Sequence, residues 1–221
     1  MNGITWTDSI SIPFRTAALS ALWNGTKWVA AGSGNATDTQ STASSVDGIT
    51  WTLSINNAVS NIPATQYAGI AWNGLIWIVC GTAGSNSTLF QGVYYSYDGI
   101  NWTSTLTSLQ FPATSVTWVG NRFILTRYAG VLGNLTLYYS SDGFTWTSGL
   151  SLLGSNSSGF TYFSSWSSNI PNVAIQQPTL VLGAGTNSIA YSYDGIRWTG
   201  LGTSIFTTSG RGACWNGKIW V

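Results

Sequence analysis

A chain of 221 residues with 44% hydrophobic side chains carries enough apolar material for a buried core, which excludes a disordered segment. Only 6% of its residues are charged, against roughly a quarter in an average globular domain, so solubility rests on Ser, Thr, Asn and Gly. Its net charge of +1 comes from scattered cations (Arg15, Lys27, Arg122, Arg127, Arg197, Arg211 and Lys218) with no run able to displace counterions, which excludes a nucleic-acid partner.

The chain opens on Asn2-Gly3-Ile4-Thr5-Trp6-Thr7, a clipped copy of a motif that returns four times. With neither a basic n-region nor an apolar h-region, this start does not read as a signal peptide. No apolar run of about 18 residues follows anywhere, so no transmembrane helix is expected. A surface so poor in charge matches extracellular or virion proteins better than a cytosolic enzyme.

The first complete unit, about 18–52, has two turn signals. Leu22-Trp23-Asn24-Gly25-Thr26-Lys27-Trp28-Val29 places Asn-Gly between two apolar runs, and Asp47-Gly48-Ile49-Thr50-Trp51-Thr52 places Asp-Gly between two more. Such dipeptides predict two-residue type I′ hairpin turns, which need positive φ at both central residues. One unit is therefore strand A, turn, strand B, loop, strand C, turn, strand D. Unit two, about 67–103, repeats this with Ala71-Trp72-Asn73-Gly74-Leu75-Ile76-Trp77-Ile78 and Asp98 to Thr103. Unit three, about 115–147, has Thr117-Trp118-Val119-Gly120-Asn121-Arg122-Phe123-Ile124 and Asp142 to Thr147. Unit four, about 160–199, is distorted by an insertion from Trp166 to Gln177 before strand B resumes at Thr179, and ends on Asp194 to Thr199. The fifth has only strands A and B, at about 212–221, including Cys214-Trp215-Asn216-Gly217-Lys218-Ile219-Trp220-Val221. Its strand D is residues 4–7.

The motif tryptophans stand at 6, 51, 102, 146 and 198, close to the spacing of four-stranded propeller blades. A helical period is absent. Sheets this rich in Trp, Ile and Val bury both faces only by stacking, and a ring leaves no terminal sheet exposed. The expectation is an all-β, five-bladed β-propeller of four-stranded antiparallel blades. Its closing blade is shared by the two termini and lacks strand C. That gap leaves a strand edge and suggests self-association there.

Ser96-Tyr97-Asp98-Gly99-Ile100-Asn101-Trp102-Thr103 resembles the Asp-box, or bacterial neuraminidase, repeat of sialidase-like propellers, with Ser also at 45, 140 and 192. The usual Asp-box has one more residue between its Asp and its Trp. The tract from Gly183 to Thr199 is similar to repeat propellers of giant DNA viruses and bacteria. The resemblance covers nearly the whole chain and implies a fold more than a function. It also implies a glycosidase as a remote alternative, since the family includes exo-sialidases that use an arginine triad, a Tyr/Glu pair and an acid Asp.

The residues present do not supply that machinery. The chain has no Glu and no His, and four of its six Asp residues sit in turns, leaving Asp8 and Asp38. Serine triads, Cys-His dyads and imidazole metal sites are thereby excluded. Cys80 and Cys214 lie at non-equivalent repeat positions and read as small buried thiols. No enzyme, no cofactor and no metal is expected. Function falls to the B–C and D–A connections, irregular segments opposite the uniform turns, where a protein or glycan ligand would bind. Arg15 and Arg211 precede innermost strands and Arg127 ends a B strand, which makes them the candidate contacts. A structural or protein-interaction scaffold is the leading expectation, and a lectin-like module the alternative.

Overall fold

A computed structural model of the chain describes residue 14 and residues 17–33, 41–54, 66–82, 92–105, 113–127, 136–149, 163–164, 180–183, 189–194 and 196–202. Among these residues run sixteen strands and no helix. The first sheet is β1 (Ala17–Trp23), β2 (Trp28–Ser33), β3 (Thr42–Ser45) and β4 (Thr52–Leu53). The second is β5 (Gln66–Trp72), β6 (Trp77–Thr82), β7 (Gly92–Ser96) and β8 (Thr103–Ser104). The third is β9 (Ala113–Trp118), β10 (Phe123–Arg127), β11 (Thr136–Ser140) and β12 (Thr147–Ser148). The fourth is β13 (Phe163–Ser164), β14 (Leu180–Gly183), β15 (Ile189–Ser192) and β16 (Thr199–Gly200). Each is an antiparallel meander in chain order, and a single bridge, Ser33 to Gln66, links the first sheet to the second.

Register follows the aromatic repeat. Trp23 pairs with Trp28, Trp72 with Trp77 and Trp118 with Phe123, each across the turn between the first two strands. Their rings meet tilted, with centroids 5.4, 4.8 and 4.6 Å apart. Such cross-strand aromatic pairs add roughly 0.5–1.5 kcal/mol beyond their burial. Four residues before each leading Trp the ladder skips one position, at Leu19, Ala68 and Thr114. A bulge bends its strand and raises the local twist. Its recurrence gives the first strand of three sheets the same curvature.

The pleat sends alternate residues to opposite faces, and both faces are covered. Val29 and Ala31 of the first sheet pack with Ile70, Trp77, Val79, Tyr94 and Trp102 of the second. The other face of the second sheet, Ala71, Ile76, Ile78, Cys80 and Val93, packs on Val116, Phe123 and Leu125 of the third. Burial on both sides explains why Ile76-Trp77-Ile78-Val79-Cys80 is apolar without alternation. Strand β1 lies against β5, β5 against β9, and β9 against β13. At Gly69 the approach is so tight that a Cβ would stand 2.6 Å from the Val116 backbone nitrogen. First strands gathered together, with later strands leading away from them, make a propeller-like stack.

Two expectations about turns need correction. The A–B turn is not centred on Asn-Gly. The Asn24 N–H donates to the Lys27 carbonyl, so Gly25 and Thr26 are the central pair, with Gly25 at φ 102°. The shift arises because the Asn24 side chain takes over the far end of the turn: its Oδ1 accepts the N–H of Thr26 at 3.0 Å and of Lys27 at 2.9 Å. The Asp-Gly connections are not two-residue turns either. The last residues that β3 and β4 pair are Ser44 and Thr52, so the connection runs from Ser45, at the end of β3, through Trp51, which stands before β4 rather than within it. The segments assigned to the closing blade, 4–7 and 212–221, lie outside the described residues.

Candidate functional site

Each Asp loop is a closed unit of hydrogen bonds built from Ser-x-Asp-Gly. In the first, the Ser45 hydroxyl donates to Asp47 Oδ1 at 2.9 Å and accepts the Gly48 N–H at 2.9 Å. Asp47 Oδ1 also accepts the N–H of Ile49 at 2.8 Å and of Thr50 at 2.7 Å. The Trp51 indole N–H returns to the Gly48 carbonyl at 3.2 Å. Asp98 accepts from Ser96, Ile100 and Asn101, and Asp142 from Ser140, Phe144 and Thr145. Asp194 accepts from Ser192, Ile196 and Arg197. The loop glycines described, Gly48, Gly99 and Gly143, have φ of 75°, 72° and 81°, a region that costs other residues strain.

These bonds set the carboxylate electrostatics. The amides of Thr50 and Ile49 and the Ser45 hydroxyl stabilise ionised Asp47 and hold its pKa at about 2. Burial pushes Asp98 upward, but the amides of Asn101 and Ile100, the Asn101 side chain and Ser96 outweigh it and leave it at about 2. Asp142 is lowered despite partial burial by the amides of Thr145 and Phe144, and Asp194 chiefly by the Arg197 amide. A carboxylate so strongly stabilised as the anion is a poor general acid at neutral pH. Among the described residues no group of three or more His, Cys, Asp or Glu stands together. Cys80 is a free, buried thiol whose pKa burial pushes up, so thiolate chemistry is disfavoured there. Cys214 lies outside the described residues.

The loops also join neighbouring sheets. Lys27 Nζ, on the first turn of the first sheet, donates to the Asp98 carbonyl at 2.9 Å. The A–B turns and Asp loops thus share one face, as strand alternation requires. Tyr97 and Tyr193, the residues between Ser and Asp, are exposed on it. Each meets the tyrosine two residues earlier, Tyr95 or Tyr191, edge-on at 5.8 Å. Neither this aromatic pair nor the Lys27 link was singled out from sequence, although the Tyr-Ser-Tyr-Asp tracts at 95–98 and 191–194 carry the signal for the pair.

Of the candidate contacts, Arg127 stands at the end of β10, on the side opposite the Asp loops. Arg15 and Arg211 lie outside the described residues, as do residues 34–40, 55–65, 83–91, 106–112, 128–135 and 150–162, which hold most of the connections proposed for binding.

No family model matches the chain, and no curated protein matches it. Among solved structures, the chain is similar to YCF48 bound to D1 peptide, at 12% identity and TM-score 0.46, over 85% of this chain and 68% of that one. It is also similar to a Bombyx mori GH32 beta-fructofuranosidase in complex with sucrose, at 14% identity and TM-score 0.42, over 81% of this chain and 47% of that one. A Pyrococcus horikoshii acylaminoacyl peptidase aligns at 10% identity and TM-score 0.45, over 85% of this chain and 28% of that one. The chain thus spans less than half of the latter two proteins.

Proposed function

We propose that this chain is a non-enzymatic, five-bladed propeller scaffold that binds a protein partner through its B–C and D–A connections. The blades are residues 18–52, 67–103, 115–147 and 160–199, with a fifth from 212–221 and 4–7. One observation carries the non-enzymatic part: four of the six acidic side chains are each engaged in holding their own loop. Only Asp8 and Asp38 remain for acid–base work, in a chain without Glu or His.

The Asp-loop face is closed upon itself and short in every unit. The opposite connections differ in length and sequence from blade to blade, which suits one irregular partner surface better than a set of repeated pockets. Arg15, Arg127 and Arg211 supply its cations. A glycan-binding reading has one specific support, and it lies on the Asp-loop face instead of the B–C and D–A connections: the exposed Tyr97 and Tyr193 held in the same edge-on geometry. Aromatic rings with one polar end are common contact residues at such surfaces.

Affinity capture with one triple and one double variant separates the readings. Replacing Arg15, Arg127 and Arg211 by Ala abolishes capture of the protein partner, whereas Tyr97→Ala with Tyr193→Ala retains it. A glycan array bound by wild type and lost only in the tyrosine variant supports the lectin-like alternative instead. Turnover of a fluorogenic sialoside that disappears in Asp8→Asn or Asp38→Asn would overturn the non-enzymatic proposal.

A further inference from the structure

The described contacts between neighbouring sheets use the same positions each time. A Cβ on Gly143, in the Asp loop of the third sheet, would stand 2.8 Å from Ile76 Cδ1 and 3.0 Å from Ile78 Cδ1 of the second. A Cβ on Gly99, in the second sheet, would stand 2.6 Å from Val29 Cγ2 of the first, and Lys27 reaches the adjacent Asp98 carbonyl. Residues just before and just after the leading aromatic of one second strand therefore cover the loop glycine of the next sheet. The aromatic beneath that glycine is sealed: Trp77 is 1% exposed and Phe123 0%.

The first sheet has the same socket, which no described residue of a neighbouring sheet covers. Among the described residues, a Cβ on Gly48 would meet only Trp28, at 3.4 Å. Trp28 itself is 36% exposed and its partner Trp23 41%, and Ile49 beside the glycine is exposed as well. Two large indoles left in water are costly, at roughly 25 cal/mol per Å² of apolar surface. Something with the shape of Ile76 and Ile78 fits here.

The sequence pattern that carries Ile76 and Ile78 recurs once more. Trp215-Asn216-Gly217-Lys218-Ile219-Trp220-Val221 aligns with Trp72-Asn73-Gly74-Leu75-Ile76-Trp77-Ile78 and is identical at five of the seven positions. Ile219 takes the place of Ile76 and Val221 that of Ile78. We infer that Ile219 and Val221 dock on Trp28, Gly48 and Ile49 of the same chain and seal the first sheet. This contact rests on the five-bladed proposal and names the residues that close the ring. A second copy of the chain offering the same segment is the rival occupant.

Hydrogen-exchange mass spectrometry on the full chain, with light scattering of the same samples, tests it. In a wild-type monomer, peptides spanning 23–30 and 45–52 are protected at all protein concentrations. Ile219→Asp speeds their exchange about tenfold while 92–105 keeps its protection. Ile219→Lys, which carries the residue that Lys27 supplies at the equivalent position, stays close to wild type. If Ile219→Asp fails to fold, Val221→Ser gives the same selective loss. Unchanged exchange of 45–52 in the Asp or Ser variants overturns the contact, and protection that appears only with dimer formation assigns the socket to a second copy. The five-bladed proposal is read separately, from distances among Thr50, Asn101, Thr145 and Arg197, which do not involve Ile219.

Discussion

Val29 on β2 points at Gly99 in the Asp loop of the next sheet, so closely that a Cβ on Gly99 would stand 2.6 Å from Val29 Cγ2. The loop glycine therefore answers two demands at once. It takes a φ of 72° and leaves the space that the neighbouring sheet fills. Gly25, at φ 102°, answers only the first, since nothing lies within 4 Å of a Cβ placed there.

That contrast predicts unequal penalties for the same substitution. Gly25→Ala should cost about 1–2 kcal/mol, the strain of positive φ alone. Gly99→Ala should cost about 1–3 kcal/mol more, for overpacking against Val29. Adding Val29→Ala to Gly99→Ala should recover the overpacking part and not the φ part. Urea denaturation of Gly25→Ala, Gly99→Ala, Val29→Ala alone and the double variant measures each difference.

Acid should weaken the protein through its Asp loops. Asp47 and Asp98 titrate at about 2 in the fold against an ordinary value of 3.8, and Asp142 and Asp194 are lowered too. A carboxylate lowered by folding stabilises the native state fully above its unfolded pKa, and that stabilisation drains away as pH falls through the folded one. Urea midpoints should hold steady down to about pH 5 and decline below it, most steeply between about pH 4 and 2. Asp98→Asn keeps an Oδ1 acceptor for the two amides but no charge, so it should flatten part of that decline. Asp98→Ala should lower the midpoint at every pH.

The indoles should differ by what covers them. Trp77, sealed between two sheets, should cost about 3–5 kcal/mol on replacement by Ala. Trp28→Ala should cost no more than about 2 kcal/mol in the Ile219→Asp background, where the cover from Ile219 is lost and that side chain is left partly exposed. Thermal or urea unfolding of both variants decides this.

Cys80 should resist alkylation in the native state. It is fully buried among Ile78, Val93 and Val116, and its thiol is pushed up by burial. Iodoacetamide labelling followed by mass spectrometry should show modification of Cys80 only after addition of denaturant.

The meander was legible because its signals are local: Trp23 and Trp28 flank an Asn-Gly, and Trp51 follows an Asp-Gly by three residues. What the Asn and Asp side chains do with those turns was not. An Asn-Gly or Asp-Gly dipeptide between apolar runs marks where the chain reverses. It does not reveal that Asn24 Oδ1 takes two amides and moves the turn centre to Gly25 and Thr26, or that Asp47 organises a loop from 45 to 51. The stacking order was also beyond pattern alone, since Val29 and Gly99 are far apart in sequence and meet only through packing. The candidate contacts depend on Arg15 and Arg211, which lie outside the described residues, so the sequence argument still carries them.

The ring of five is tested most directly by spin-label distances between equivalent loop positions. Thr50, Asn101, Thr145 and Arg197 each lie two residues beyond the loop glycine and are exposed, which makes them suitable label sites in the first four units. In a closed ring of five, units one and four are separated by the same two steps as units one and three or two and four. Cysteine-linked labels in a Cys80→Ala, Cys214→Ala background should therefore give nearly equal distances for the 50–145, 101–197 and 50–197 pairs, all longer than the neighbouring 50–101 pair. A 50–197 distance longer than every other would mean an open or linear stack and contradict the ring.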